Sequence, residues 1–312
     1  MSRIHEALKK AAEERAAKVA MEAHAGVAEV PSESEIQSEA KLPPIVLGAA
    51  MARPVVSPRV TTGSNTKTAF SYEELLKRCV QQEWRLDPFN SVFLNAKPGE
   101  GGPERFRTLR SRLYKIASTR TLKKVLITSA VAGEGKTFVA SNLAQSIIQQ
   151  PELRVLLIDA DLRSSRQHLL YAAQSCPGLS DYLRGEADEY AVTQKGMSEN
   201  LFLIPGGNLV SNPSELLLSE RMKQLLNNVS TVFDWIILDS PPTLPVHDAS
   251  VLADMVDGVL FVVKAGSTDA EIVERTVAEF QDKNLLGVVL NQVQKSDSYG
   301  DHYQNYFSGS DD

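Results

Sequence analysis

The chain has 312 residues, 43% of them hydrophobic, and a formal net charge of −6. That is enough apolar material for one large α/β domain with extensions, and the acidic balance argues against general nucleic-acid binding. Cys79 and Cys176 lie far apart without metal-ligand spacing, which fits a reducing compartment. No apolar run approaches the roughly 20 residues that span a bilayer, and residues 1–15 lack a signal-peptide core. A cytoplasmic protein is expected, either soluble or held at the membrane through a partner.

Residues 1–24 read as an N-terminal helix. Ser2 can cap it, and Ile4, Leu8, Ala11 and Ala12 share a face. Its balanced charges fit a solvated helix, and a docking or membrane-surface helix is the alternative. Residues 25–70, rich in Ala, Pro, Ser, Thr and Gly and punctuated by Pro31, Pro43, Pro44, Pro54 and Pro58, read as a disordered linker. A short helix is expected around 72–82. From residue 123 strand and helix patterns alternate. Strands are expected at 124–129, 154–159, 201–205, 235–239, 258–264 and 287–293, with helices between them that include 213–228 and 269–282. The strands are continuous apolar runs, so both faces of the sheet should be covered. The pattern predicts an α/β fold with a mostly parallel, doubly wound sheet and a ligand beyond the carboxyl ends of its strands.

Three motifs fall at such ends. The first runs from Val125 through Gly133-Glu134-Gly135-Lys136-Thr137 into a helical pattern. This is the strand, phosphate loop and helix order of a P-loop. Glycines let backbone N–H groups close around phosphate, the helix N-terminus adds positive charge, Lys136 can reach the β- and γ-phosphates, and the Thr137 hydroxyl can bind Mg²⁺. Ala130 stands where the usual motif has its first glycine. In the second motif, Val155-Leu156-Leu157-Ile158 delivers Asp159, Asp161 and Arg163. Period-two spacing puts the two aspartates on one side if the strand continues that far, where they can hold a cation and accept a proton. The third, Trp235-Ile236-Ile237-Leu238-Asp239-Ser240-Pro241-Pro242, is Walker-B-like, with Asp239 able to orient Mg²⁺.

With these motifs the chain resembles the cytoplasmic kinase domain of the bacterial tyrosine kinases (BY-kinases) of capsule and exopolysaccharide biosynthesis. The resemblance covers residues 103 to 293 and includes Gly178-Leu179-Ser180-Asp181, Asn212-Pro213-Ser214-Glu215 and Pro245-Val246-His247-Asp248. The opening Ser2-Arg3-Ile4-His5-Glu6-Ala7-Leu8 is similar to the exosortase-associated members. The resemblance implies a P-loop tyrosine kinase domain over 71–298 that uses ATP and Mg²⁺. Residues 132–138 would hold the nucleotide: Ala132, Gly133, Glu134, Gly135, Lys136, Thr137 and Phe138. Lys136, Asp159 and Asp161 take the catalytic positions, and Thr137, Asp159, Asp161 and Asp239 those around the metal. Asn291 is the candidate for contacting adenine.

The resemblance also implies assembly. Glu104, Arg107 and Arg110 match the family's E-x-x-R-x-x-R segment, and helical spacing puts them on one slanting stripe, free to pair with a neighbour in a ring. Tyr299, Tyr303 and Tyr306 lie in the tail, 299–312, as phosphoacceptors able to enter a neighbouring site. A separate transmembrane polysaccharide co-polymerase is the implied activator, and a protein-tyrosine phosphatase the implied opponent. Two other readings stand beside the autokinase: an ATPase switch of the partition or cell-division type, and an ATP-binding scaffold of an export complex. Partition-type relatives carry a lysine early in the loop, where this chain has Val131.

Overall fold

The computed structural model describes residues 70–94, 96, 101–196, 198–244 and 246–293. The expected N-terminal helix, the linker up to residue 69 and the tyrosine tail lie outside the described residues. One sheet contains β1 (Val80–Gln81), β2 (Lys124–Ser129), β3 (Val155–Asp159), β4 (Gln194–Lys195), β5 (Leu201–Ile204), β6 (Trp235–Asp239), β7 (Gly258–Lys264) and β8 (Leu285–Asn291). Their order is β1-β4-β5-β3-β6-β2-β7-β8, parallel at every pairing except β4 with β5. The helices are α1 (Tyr72–Arg78), α2 (Gly101–Ala117), α3 (Lys136–Ile147), α4 (Gln167–Tyr171), α5 (Leu179–Arg184), α6 (Pro213–Leu218), α7 (Glu220–Ser230), α8 (Asp248–Ala253) and α9 (Ala270–Ala278).

The central strands are unbroken apolar runs because alternate residues enter two separate cores. Val125, Ile127, Val155, Leu157, Trp235 and Ile237 pack with Leu113 of α2 and with Val139, Leu143 and Ile147 of α3. Leu126, Leu156, Ile158, Ile236 and Leu238 pack on the opposite face with Met222 and Leu225 of α7, Leu252 of α8 and Val273 of α9. Leu143 and Leu225 are fully buried, one in each core; truncating either to alanine costs about 2–5 kcal/mol. The same alternation carries Asp159 and Asp239 onto the α3 side. The register sets them side by side on neighbouring strands, with Ile127 of β2 flanking Asp239.

The structure corrects several expected boundaries. The helix expected at 213–228 is two helices. Ser219 is extended (φ −65°, ψ 154°), and its hydroxyl accepts the Met222 N–H to start α7, a local bond that competes with helix continuation. The helix expected at 72–82 ends at Arg78, because Cys79 turns extended and Val80 and Gln81 pair with β4. The last helix stops at Ala278 and the last strand runs Leu285–Asn291, two residues earlier than the spacing suggested.

Candidate active site

The end of β2 carries the phosphate loop. Gly133 (φ 83°) and Gly135 (φ 93°) are left-handed, a region that side chains disfavour. A Cβ on Gly135 would also lie 2.0 Å from Nδ2 of Asn291, so a side chain is excluded there twice over. Ala130 is fully buried and has no positive φ, so the turn needs no glycine at that position. Val131, at the position of the partition-type lysine, packs against the core.

The loop is held from behind. The buried Glu134 carboxylate accepts the Val131 N–H (2.8 Å), the Thr268 hydroxyl (2.7 Å) and the Lys264 N–H (3.3 Å). Asn291 Nδ2 donates to the Glu134 carbonyl (2.9 Å), and Gln292 Nε2 to the Gly133 carbonyl (3.4 Å). Asn291, expected to contact adenine, thus also ties the last strand to the loop through one of its two amide N–H groups. Glu134, expected only as a loop residue around the nucleotide, is a buried brace that ties Val131 of its own loop to Lys264 and Thr268, more than a hundred residues away.

Facing the loop are the carboxylates. Asp159 is fully buried, and its Oδ2 accepts the Ser165 hydroxyl (2.7 Å) and the N–H groups of Arg166 and Gln167 (2.9 Å each). Its Oδ1 accepts only a long bond from the Asp161 N–H (3.3 Å). Asp239 is also buried. Its Oδ2 accepts Gln167 Nε2 (3.0 Å), and Oδ1 has no partner among the described residues. Burial pushes the Asp159 carboxyl up to about 6, against the pull of its Ser165 and backbone donors. Burial, then the adjacent Asp159 charge, pushes Asp239 up to about 8, with Thr137 and Lys136 opposing. Burial lowers the Lys136 ammonium, while Asp239, Asp161 and Glu134 act to raise it. Among the described residues Lys136 has no ion pair within 4.0 Å.

Asp161 does not continue the strand, which ends at Asp159. It sits half-buried in the following turn, accepting the Ser164 N–H (2.9 Å). The period-two expectation therefore fails, although the turn keeps Asp161 at the site. Arg163 joins this turn to α8 and α6: its Nε bonds the buried Asp248 (2.8 Å) and its Nη2 bonds Ser214 (3.0 Å). Phe138 turns its ring to Phe106 of α2 (centroids 5.8 Å apart). Sequence reasoning missed Gln167, Ser165 and Asp248. Asp248 lay inside a matched segment, whereas Gln167 gave no spacing signal.

Glu104, Arg107 and Arg110 lie on α2, away from the carboxylates. Glu104 and Arg107 are exposed and pair with each other (3.1 Å). Arg110, expected to be free for a neighbour, instead donates to the Ser146 carbonyl within the same chain. No described helix is long and apolar enough to cross a membrane.

Residues 122–284 match the AAA domain family model. The tyrosine-protein kinase YwqD of Bacillus subtilis (strain 168) is 34% identical over 215 residues, covering 67% of this chain and 90% of the relative. The chain belongs to the bacterial tyrosine-protein kinase family. The tyrosine-protein kinase Wzc of Salmonella typhi is likewise 34% identical over 67% of the chain, but the match spans only 29% of that longer protein. Among solved structures, the kinase domain of Escherichia coli tyrosine kinase ETK superposes with a TM-score of 0.62 at 33% identity, covering 73% of this chain and 89% of that one. Family and site agree on a nucleotide-binding P-loop enzyme of the tyrosine-kinase class.

Proposed function

We propose that this chain is an autokinase that moves the γ-phosphoryl group of ATP onto Tyr299, Tyr303 and Tyr306 in the tail of another copy. The observation that carries this reading is the register pairing of Asp159 with Asp239 opposite Lys136 and Thr137. A phosphate loop alone would serve any NTPase. Two buried carboxyls in unlike settings beside it supply both a cation site and a base.

Mg²⁺ fits the residues present. Asp239 Oδ1 is a buried carboxyl oxygen without a partner among the described residues, which is costly for the ionised group unless a cation meets it. Thr137 and Asp161 add hard oxygen donors. No three acidic, histidine or cysteine side chains converge as a cage among the described residues, as expected where phosphate oxygens complete the shell. When bound, the ion neutralises charge on the β- and γ-phosphates. The phosphate loop orients the polyphosphate through its N–H groups and the end of α3, and Lys136 adds charge where negative charge grows. Asp159, with Oδ2 saturated and Oδ1 nearly free, takes the tyrosine proton as the O–P bond forms and the bond to ADP breaks. Its raised pKa suits a base working near neutral pH.

The wider setting belongs to the same proposal. Glu104 and Arg107 face a neighbour in a ring, and a phosphate of roughly −1.5 to −2 charge on each tail tyrosine repels the aspartates and loosens that ring. A transmembrane polysaccharide co-polymerase activates the enzyme at the inner face of the membrane, a tyrosine phosphatase reverses it, and the exosortase-associated branch is its place in the family. The test is intact mass and phosphotyrosine detection after incubation with Mg²⁺-ATP, comparing wild type with a Tyr299→Phe, Tyr303→Phe, Tyr306→Phe variant. Phosphate on wild type alone is expected. ATP hydrolysis without phosphotyrosine on either protein would replace this reading with an ATPase switch.

A further inference from the structure

Gln167 occupies the first position of α4 and is fully buried. Its backbone N–H donates to Asp159 Oδ2 (2.9 Å). Its side-chain Nε2 donates both to Asp239 Oδ2 (3.0 Å) and to the Thr137 carbonyl in the first turn of α3 (3.2 Å). One residue therefore touches all three strand-end motifs. The Thr137 carbonyl is a pure acceptor, so the amide must turn its nitrogen to it, and the same nitrogen meets Asp239 Oδ2. Its Oε1 is buried and without a partner among the described residues, as is Asp239 Oδ1.

This arrangement decides which oxygen of Asp239 is available. Oδ2 is committed to an N–H group, and rotating the carboxylate would break that bond and strand the amide. We propose that Gln167 is a positioning residue that locks Asp239 with Oδ1 free for the divalent cation of the nucleotide complex and fixes that carboxylate relative to the turn carrying Thr137. The proposal rests on the kinase reading above. Outer-shell partners of this kind typically change metal affinity or activity by about 10–100-fold when removed. Gln167→Met keeps the volume and removes both side-chain donors. Gln167→Asn keeps a donor, but too short a side chain to reach both acceptors.

The experiment is a titration of a fluorescent ATP analogue against each purified protein, with Mg²⁺ varied and with chelator, alongside thermal melts. The Mg²⁺ concentration at half-maximal binding should rise about 10-fold or more in Gln167→Met, while binding in chelator stays near the wild-type value. A wild-type Mg²⁺ midpoint in Gln167→Met would overturn the proposal. If that variant does not fold, Gln167→Asn gives the same reading. Failure of both to fold would assign Gln167 a purely structural role and also overturn it. Wild type that binds the analogue identically with and without Mg²⁺ would instead remove the kinase reading itself.

Discussion

The two walls of the nucleotide site are built in opposite ways. Behind the phosphate loop the polar groups are committed: the Glu134 carboxylate takes three donors, and Asn291 and Gln292 bind loop carbonyls. On the acidic wall, Asp239 Oδ1 and Gln167 Oε1 are buried and unpartnered among the described residues. A wall that receives a polyanion through backbone N–H groups must hold its shape beforehand, since reorganising it would cost the binding energy it supplies. A wall that receives a cation must keep oxygen lone pairs uncommitted, at a cost in stability.

The hardest blow to this division is Lys136→Met, which removes the cation lying between the walls. Phosphotyrosine formation should fall by at least about 100-fold, with the circular dichroism spectrum unchanged; full phosphorylation in a folded variant would show that neither wall is catalytic. Asp239→Asn sharpens the claim about cost. A carboxyl whose pKa is raised on folding binds its proton more tightly in the native state, so its contribution to stability is lost as pH rises from the unfolded value toward about 8. The nucleotide-free Asn variant should therefore melt above wild type at pH 8, by about 3 °C for each kcal/mol relieved in a domain of this size. The gain should shrink at pH 5; equal shifts at both values would deny that ionisation is the source.

On the committed wall, Glu134→Ala should weaken ATP binding about 10-fold, the loss of one or two net hydrogen bonds, with little change in the Mg²⁺ midpoint. A variant that binds ATP normally would make the brace irrelevant to loop shape. The smallest intramolecular effect is expected on α2. Glu104→Ala with Arg107→Ala removes an exposed pair worth about 0–1 kcal/mol. Melting should hardly move while the mass in solution falls, and an unchanged mass would leave the pair without a role in assembly.

The central sheet and the three motifs were legible because they rest on local signals: apolar runs of strand length, each ending in glycines or aspartates. β1 and β4 were not legible, since two-residue strands exist only through their partners. The break at Ser219 was missed because serine followed by Glu220 suits a helix interior and an N-cap alike. Within the site, the positions of Lys136, Asp159 and Asp239 followed from strand ends, but their partners did not. Glu134 finds Thr268 just past the neighbouring strand β7, and Gln167 reaches Asp239 from a five-residue helix. Asn291 was placed at the right strand end, but its bond to the Glu134 carbonyl was not foreseen, because a sequence does not say which way an amide turns.

The alternation of the central strands between two cores has a consequence for what the gene can tolerate. Exchanging one aliphatic residue for another inside β3 or β6 alters packing and leaves both aspartates in place. Deleting a single codon between Val155 and Ile158 would turn Asp159 toward the opposite helix layer, away from Lys136, while keeping every motif readable in the translated sequence. The placement of these aspartates is therefore stored in a count as much as in a composition.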